Sequence, residues 1–188
     1  MSTAATPGAP SAAGAPRPRT RRPAADEYAP YYERYVARVP EGNLGDVLTS
    51  QIRETLRLLA TIPDARAEYR YAPEKWSIKE VVGHLSDVER VMSYRALRVA
   101  RGDATPLPGF DENAYVPAAA FGRRALGDLA EEFAAVRAAT VALFRHLGDE
   151  ALDRRGTANG KTISARALGY IIAGHELHHV ELLRTRYL

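Results

Sequence analysis

The chain has 188 residues, long enough for one domain with a sizeable core, and no Cys, which excludes disulfides and thiolate metal modules. No apolar run approaches the ~18–20 residues of a membrane span. The pI near 9.3 is misleading: four of the 26 basic residues are Arg17, Arg19, Arg21 and Arg22, and without them 22 basic face 23 acidic groups, a net −1 for residues 26–188 with neutral histidines.

Residues 1–25 are rich in Ala, Pro, Gly, Arg and Ser and lack the apolar core of a signal peptide. They read as a disordered basic tail with at most weak attraction to polyanions, ahead of a domain over 26–188. No specific nucleic-acid partner and no membrane is expected, and the expected location is cytoplasmic. A Tyr-rich lead-in, Tyr28 to Tyr35, is expected to pack as an arm on the helical body.

Four helical stretches come next. The first runs from Asn43, an N-cap with Asp46 in the first turn, to Ile62, where Pro63 stops it. The second starts at Ser77, which forms a capping-box pattern with Glu80, and ends near Gly102. The third carries Leu126, Leu129, Phe133, Val136, Thr140, Leu143 and Leu147 at threes and fours, a bundle seam with His146 favourably placed at its C-terminal end. The fourth runs from Ser164 to the C-terminus. No period-2 strand run stands out, so the expected class is all-α, a four-helix bundle. The stretch Asp103–Arg124, with three prolines and two glycines, reads as loop. Its 22 residues reach about 70 Å extended, enough to cross over a helix of about 38 Å and leave the second and third helices parallel. A loop of that length is a candidate cover for a site.

The chemistry concentrates in His84, within Gly83-His84-Leu85-Ser86-Asp87, and in His175 and His179, within Gly174-His175-Glu176-Leu177-His178-His179. At ~100° per residue, His179 lies about 40° from His175 on the stripe of Leu168, Ile171 and Leu182, while His178 lies about 100° from His179. His175 and His179 can thus offer two imidazoles to one ion, His84 a third from a neighbouring helix, and His178 is left at the flank. Asp87, about 60° from His84, is a possible co-ligand or proton carrier with Glu176, whereas Glu89 at about 140° is a poor one. Three neutral imidazoles make an open, catalytic type of metal site. Set against this, an inward histidine is often only a hydrogen-bonded core residue. His-Glu-x-x-His also fits the zincin pattern, with Glu176 as general base, but the strand-rich half of such a protease is missing.

Trp76 reads first as a hydrophobic staple and second as a substrate wall. Arg95, Arg98 and Arg101, at helical spacing, can bind an anionic substrate or form an ordinary solvated face. Gly156 to Gly160 reads as a turn, since Arg155 stands where a phosphate loop would need Gly. No Ser-His-Asp or Cys-His constellation can be proposed.

From about Tyr28 to the end the chain resembles the DinB-like (damage-inducible) superfamily of four-helix metalloproteins. Three stretches carry the likeness: Tyr71-Ala72-Pro73-Glu74-Lys75-Trp76-Ser77-Ile78-Lys79-Glu80 with Gly83-His84; Arg95 through Gly109, with Phe110-Asp111; and Thr162-Ile163-Ser164 leading to Gly174-His175-Glu176 and His178-His179. The resemblance implies an up-down-down-up bundle, often a homodimer, with a divalent ion on His84, His175 and His179. It links the chain to stress-response proteins, to transferases that use the low-molecular-weight thiols bacillithiol or mycothiol, and to metal-dependent hydrolases. The leading expectation is an enzyme whose ion (Zn, Ni or Fe, which imidazole suits alike) activates water or a thiol against a small electrophilic substrate. The alternative is a non-enzymatic stress-response or metal-binding module. Proton competition for the imidazoles is expected below about pH 6.5.

Overall fold

The structure, a computed structural model, describes residues 18–188. The Tyr-rich lead-in forms a 3-10 turn and a short helix α1 (Glu33–Val36). Helix α2 (Leu44–Ala60) begins where Asn43 Oδ1 accepts from the amides of Gly45 and Asp46. Helix α3 (Ile78–Ala100) begins at the expected capping box, with the Ser77 side chain accepting from Glu80 N and the Glu80 carboxylate accepting from Ser77 N. Helix α4 (Glu112–Ala119) lies in the crossover, followed by α5 (Leu126–Arg145), which His146 caps, and a one-turn α6 (Asp149–Asp153). A hairpin of β1 (Arg155–Ala158) and β2 (Lys161–Ser164) leads into α7 (Ala165–Leu182), and a final wide turn closes the chain.

Helices α2, α3, α5 and α7 form the bundle, and the contacts fix their directions. Gln51 bonds the carbonyl of Ala173 and Thr55 bonds Glu176, so α2 and α7 run parallel. Trp76 at the start of α3 meets Tyr187 beyond the end of α7, so those two are antiparallel. Phe144 near the end of α5 packs on Gly169 near the start of α7. The order is therefore up-down-down-up, with α3 and α5 parallel and joined by the long crossover.

Two apolar clusters fill the ends. One gathers Leu44, Leu48, Met92, Val99, Phe144 and Leu168, the other Leu59, Val81, Leu126, Leu129 and Leu183. Between them lies a buried ionic layer. The Arg137 guanidinium forks onto Glu89 at 2.7 and 2.6 Å, reaches Glu176 at 2.6 Å, and also donates to the carbonyl of Leu48. Thr55 donates to the second Glu176 oxygen at 2.6 Å.

Three expectations need correction. The crossover is not all loop: Asp111 Oδ1 accepts from Asn113 N and starts α4, and Pro117, inside that helix, forgoes its own backbone bond just before the helix ends at Ala119. The stretch read as a turn is a hairpin, because Asn159 (φ 49°) and Gly160 (φ 69°) take the two left-handed positions of a tight turn. The tail boundary at residue 25 is also too late. Thr20 bonds Gly42, Leu44 and Tyr170, and Arg22 donates to the carbonyls of Val36 and Val39 at 2.5 and 2.6 Å. Arg22 thus ties this segment to the end of α1, where composition suggests only solvated charge. Residues 1–17 of the expected tail lie outside the described residues.

Candidate metal centre

Each of the two Gly-His pairs serves a close approach. A Cβ at Gly174 would lie 2.9 Å from Tyr35 Cα and closer still to the Tyr35 carbonyl. Only Gly there lets the α1 backbone rest on α7, and this sets the Tyr35 ring edge-on to His175 at 5.4 Å and to His178 at 5.6 Å. Gly83 likewise leaves room for the ring of Phe121, at the end of the crossover. The Tyr187 hydroxyl, donating to the carbonyl of Trp76 at 2.8 Å, holds that residue where its ring packs on His84 at 4.5 Å.

His84, His175 and His179 converge. Their ring centroids are 4.9, 5.0 and 4.5 Å apart, and one ring nitrogen of each lies within 4.8 Å of the others. The Nε2 atoms of His84 and His175 are 3.0 Å apart, so those two rings share a proton or turn lone pairs toward a common ligand. The residues are only 5, 6 and 8% exposed. Burial lowers the pKa of His84 to about 4 and holds His175 and His179 well below the ordinary value, the neighbouring imidazoles pushing the same way on those two. The rings are therefore neutral at pH 7, the form in which imidazole binds metal. His179 Nδ1 is buried with no hydrogen-bond partner among the described residues. A neutral three-imidazole set with an orphaned nitrogen fits a divalent ion, and these residues form a group that could hold one.

Other expected candidates sort clearly. Glu176 faces the ionic layer, not the histidines, and its carboxylate is taken up by Arg137 and Thr55. That removes it as a proton carrier and removes the zincin reading, which the helical fold also contradicts. Asp87, half-buried with its pKa raised by burial, sits near Arg90 and does not line the cavity onto which the histidines open. His178 stays out of the three-ring cluster yet does line that cavity.

This cavity has a volume of about 600 Å³. Its far wall comes from elements that local sequence patterns do not join to the site: Tyr32 and Tyr35 of the arm, Phe110 of the crossover, and Asn159 and Lys161 of the hairpin tip. Leu107 bonds Thr157 and Asn159 along the edge of the hairpin, which fixes crossover against tip. The Asn159-Gly160 dipeptide was the available signal, being a strong short-range mark of a hairpin. Trp76 lines the cavity as well as stapling the helix, so its two readings are compatible. Of the three arginines, Arg98 is tied to Asp103 and Tyr94 and Arg101 is exposed, while Arg95 lines the cavity.

The DinB superfamily profile matches residues 48–183. The chain belongs to the DinB superfamily. Its fold is similar to that of YfiT from Bacillus subtilis, described as a probable metal-dependent hydrolase with an unusual four-helix bundle topology (TM-score 0.65, 19% identity, 75% of this chain and 84% of that one). It is also similar to a mycothiol-dependent maleylpyruvate isomerase (TM-score 0.59, 17% identity, 82% of this chain), of which it spans 61%. A third similar structure is the DinB-like protein YjoA of Bacillus subtilis (TM-score 0.55, 23% identity, 75% of this chain and 86% of that one). No protein of curated function matches the sequence. Among the described residues, no helix is long and apolar enough to cross a membrane.

Proposed function

We propose that this DinB-superfamily member is a metal-dependent enzyme, a thiol transferase or hydrolase, that acts on a small electrophilic substrate with His84, His175 and His179 as metal ligands. The observation that carries this reading is the placement of three buried, neutral imidazoles on the wall of a cavity large enough for a small molecule. A bound divalent ion would lower the pKa of water or a thiol, making it nucleophilic near neutral pH. The protein's own part is to hold and to exclude. Helix α7 sets two rings one turn apart, α3 brings the third, and Trp76 and Tyr35 screen their faces from water. Of His178, Asp87 and Glu176, His178 is the one that lines the cavity, beside His179 at 5.1 Å between ring centroids. A storage or purely structural metal site would have no use for that cavity, which favours the enzyme over the non-enzymatic module. Two assays test the reading on protein loaded with Zn, Ni or Fe: a p-nitrophenyl ester for hydrolysis, and 1-chloro-2,4-dinitrobenzene with a low-molecular-weight thiol for transfer. Turnover in one of them, lost in His84→Ala, is expected. Rates equal to those of His84→Ala in both, with every metal, would contradict it.

A further inference from the structure

Described residues include three deeply buried arginines, Arg95, Arg137 and Arg166, at 3, 1 and 1% exposure. Two are neutralised. Arg137 holds Glu89 and Glu176, and Arg166 pairs with Asp153 and lies 3.7 Å from Glu27. Arg95 differs: it donates to the carbonyl of Pro108 at 2.6 Å, meets Met92 Sδ at 3.6 Å and interacts with the Tyr32 hydroxyl, all neutral partners, and no carboxylate of the described residues lies within ion-pair distance. A guanidinium buried without a counter-charge is costly, and these neutral partners leave part of its five-donor fork unused. It also sits against the Phe110 ring, 5.4 Å from the centroid, so one face is apolar and fixed.

Arg95 lies on the same wall as the histidines. His84, Val88, Met92 and Arg95 follow at spacings of four, four and three along α3 and all line the cavity. Eleven residues of helix separate the two ends by about 16 Å along the axis. Val88 and Met92 form an apolar floor between them, Ile171 continues it from α7, and Tyr32 faces it from the arm. At the rim, Arg34 and Lys161 outnumber Glu112, the single carboxylate among the lining residues, so the field there favours an anion.

We propose that Arg95 is an anion subsite at the far end of the histidine cavity, selecting substrates with a carboxylate at one end, an apolar or aromatic body, and the reacting group at the other. This rests on the reading of the histidine end as the reaction centre. A guanidinium fork matches a carboxylate in two parallel bonds, and the carboxylate supplies the counter-charge that the fold withholds. A carboxylate can arrive on the substrate or on a thiol co-substrate; the apolar floor assigns it to the substrate.

Trp76, the chain's single tryptophan, lines the cavity, so its fluorescence reports binding there. The probes are 4-phenylbutyrate, its neutral amide, and glutathione as a polar carboxylate-bearing thiol. Wild-type protein should bind the acid at least about tenfold tighter than the amide, the usual worth of a hydrogen-bonded charge. Arg95→Gln should abolish that preference, Arg95→Lys should keep part of it, and His84→Ala should keep it whole. Helical circular dichroism checks that each variant is folded. Equal binding of acid and amide by the wild type would overturn the proposal without any variant. So would a preference that survives in folded Arg95→Gln, or one lost in His84→Ala but kept in Arg95→Gln, which would place the carboxylate at the histidines. Glutathione binding tighter than phenylbutyrate would assign the anion to the thiol and overturn the apolar-bodied substrate. A wild type that prefers the acid but binds no metal supports the subsite while contradicting the metal reading, so the two failures are distinguishable.

Discussion

Gly174→Ala adds one methyl group at the point where the arm rests on α7. The new Cβ would lie 2.9 Å from Tyr35 Cα and closer to the carbonyl of the same residue. Carbon–carbon contacts are comfortable at about 3.5–4.0 Å, so α1 must retreat by roughly half to one ångström, and by more at the carbonyl. Both partners are backbone, so no rotamer change relieves the clash. Overpacking of this kind costs about 1–3 kcal/mol, occasionally more, against a gain of up to about 1 kcal/mol from replacing a helical glycine. The net expectation is a loss of about 2 kcal/mol, with Tyr35 displaced from His175 and His178. Gly127 in α5 provides the control, since a Cβ there meets nothing within 4 Å and the same substitution should be neutral or stabilising by up to about 1 kcal/mol. Urea unfolding followed by circular dichroism measures both. If Gly174→Ala stabilises as much as Gly127→Ala, the arm does not sit on α7 and the account of the Gly-His pair is wrong.

Arg137→Met should cost about 3–5 kcal/mol, because it strands the buried carboxylates of Glu89 and Glu176; a change in the urea midpoint worth less than about 1 kcal/mol would show that the ionic layer is not closed. The metal-free protein should lose stability as the pH falls from about 6.5 toward 4. His84 has its folded pKa lowered by burial to about 4, so across that window the unfolded chain binds more protons, which amounts to about 3 kcal/mol at the lower end for this group; a flat midpoint between pH 7 and 5 would contradict it. The same burial should let the site keep metal below the pH of about 6.5 expected for free imidazole, as equilibrium dialysis at pH 5.5 can check. We also propose a homodimer, the commonest closed assembly, which sedimentation of a monomer at micromolar concentration would reject.

The local signals that proved readable were those in which a few adjacent residues settle the backbone. Asn43 and the Ser77–Glu80 box start their helices where the spacing said they would, and Pro63 follows the end of α2. The helical phase of His175 and His179 likewise separates them from His178, as the three-ring cluster shows. What was not readable depends on partners remote in sequence. Glu176 looks like a catalytic base from its place between the histidines, yet it points about 100° round α7 from His175 and meets Arg137, 39 residues away. The cavity wall joins Tyr32, Phe110 and Lys161, each innocuous in its own segment, and nothing local tells an ion-paired Arg98 from a buried Arg95. Two errors were local ones. Pro117, with Gly109 and Gly122 beyond the two ends of α4, masks a capped helix, and the Asn159-Gly160 pair marks a hairpin within a stretch whose glycines read only as a turn.

The most direct measurement is the metal content of the full chain and its single variants after dialysis against a divalent ion at pH 7. One equivalent is predicted for the wild type and for His178→Ala, with most of it lost in each of His84→Ala, His175→Ala and His179→Ala. Retention of a full equivalent by all four variants would contradict the three-histidine centre, and loss in His178→Ala with retention in His179→Ala would contradict the assignment of the pair on α7.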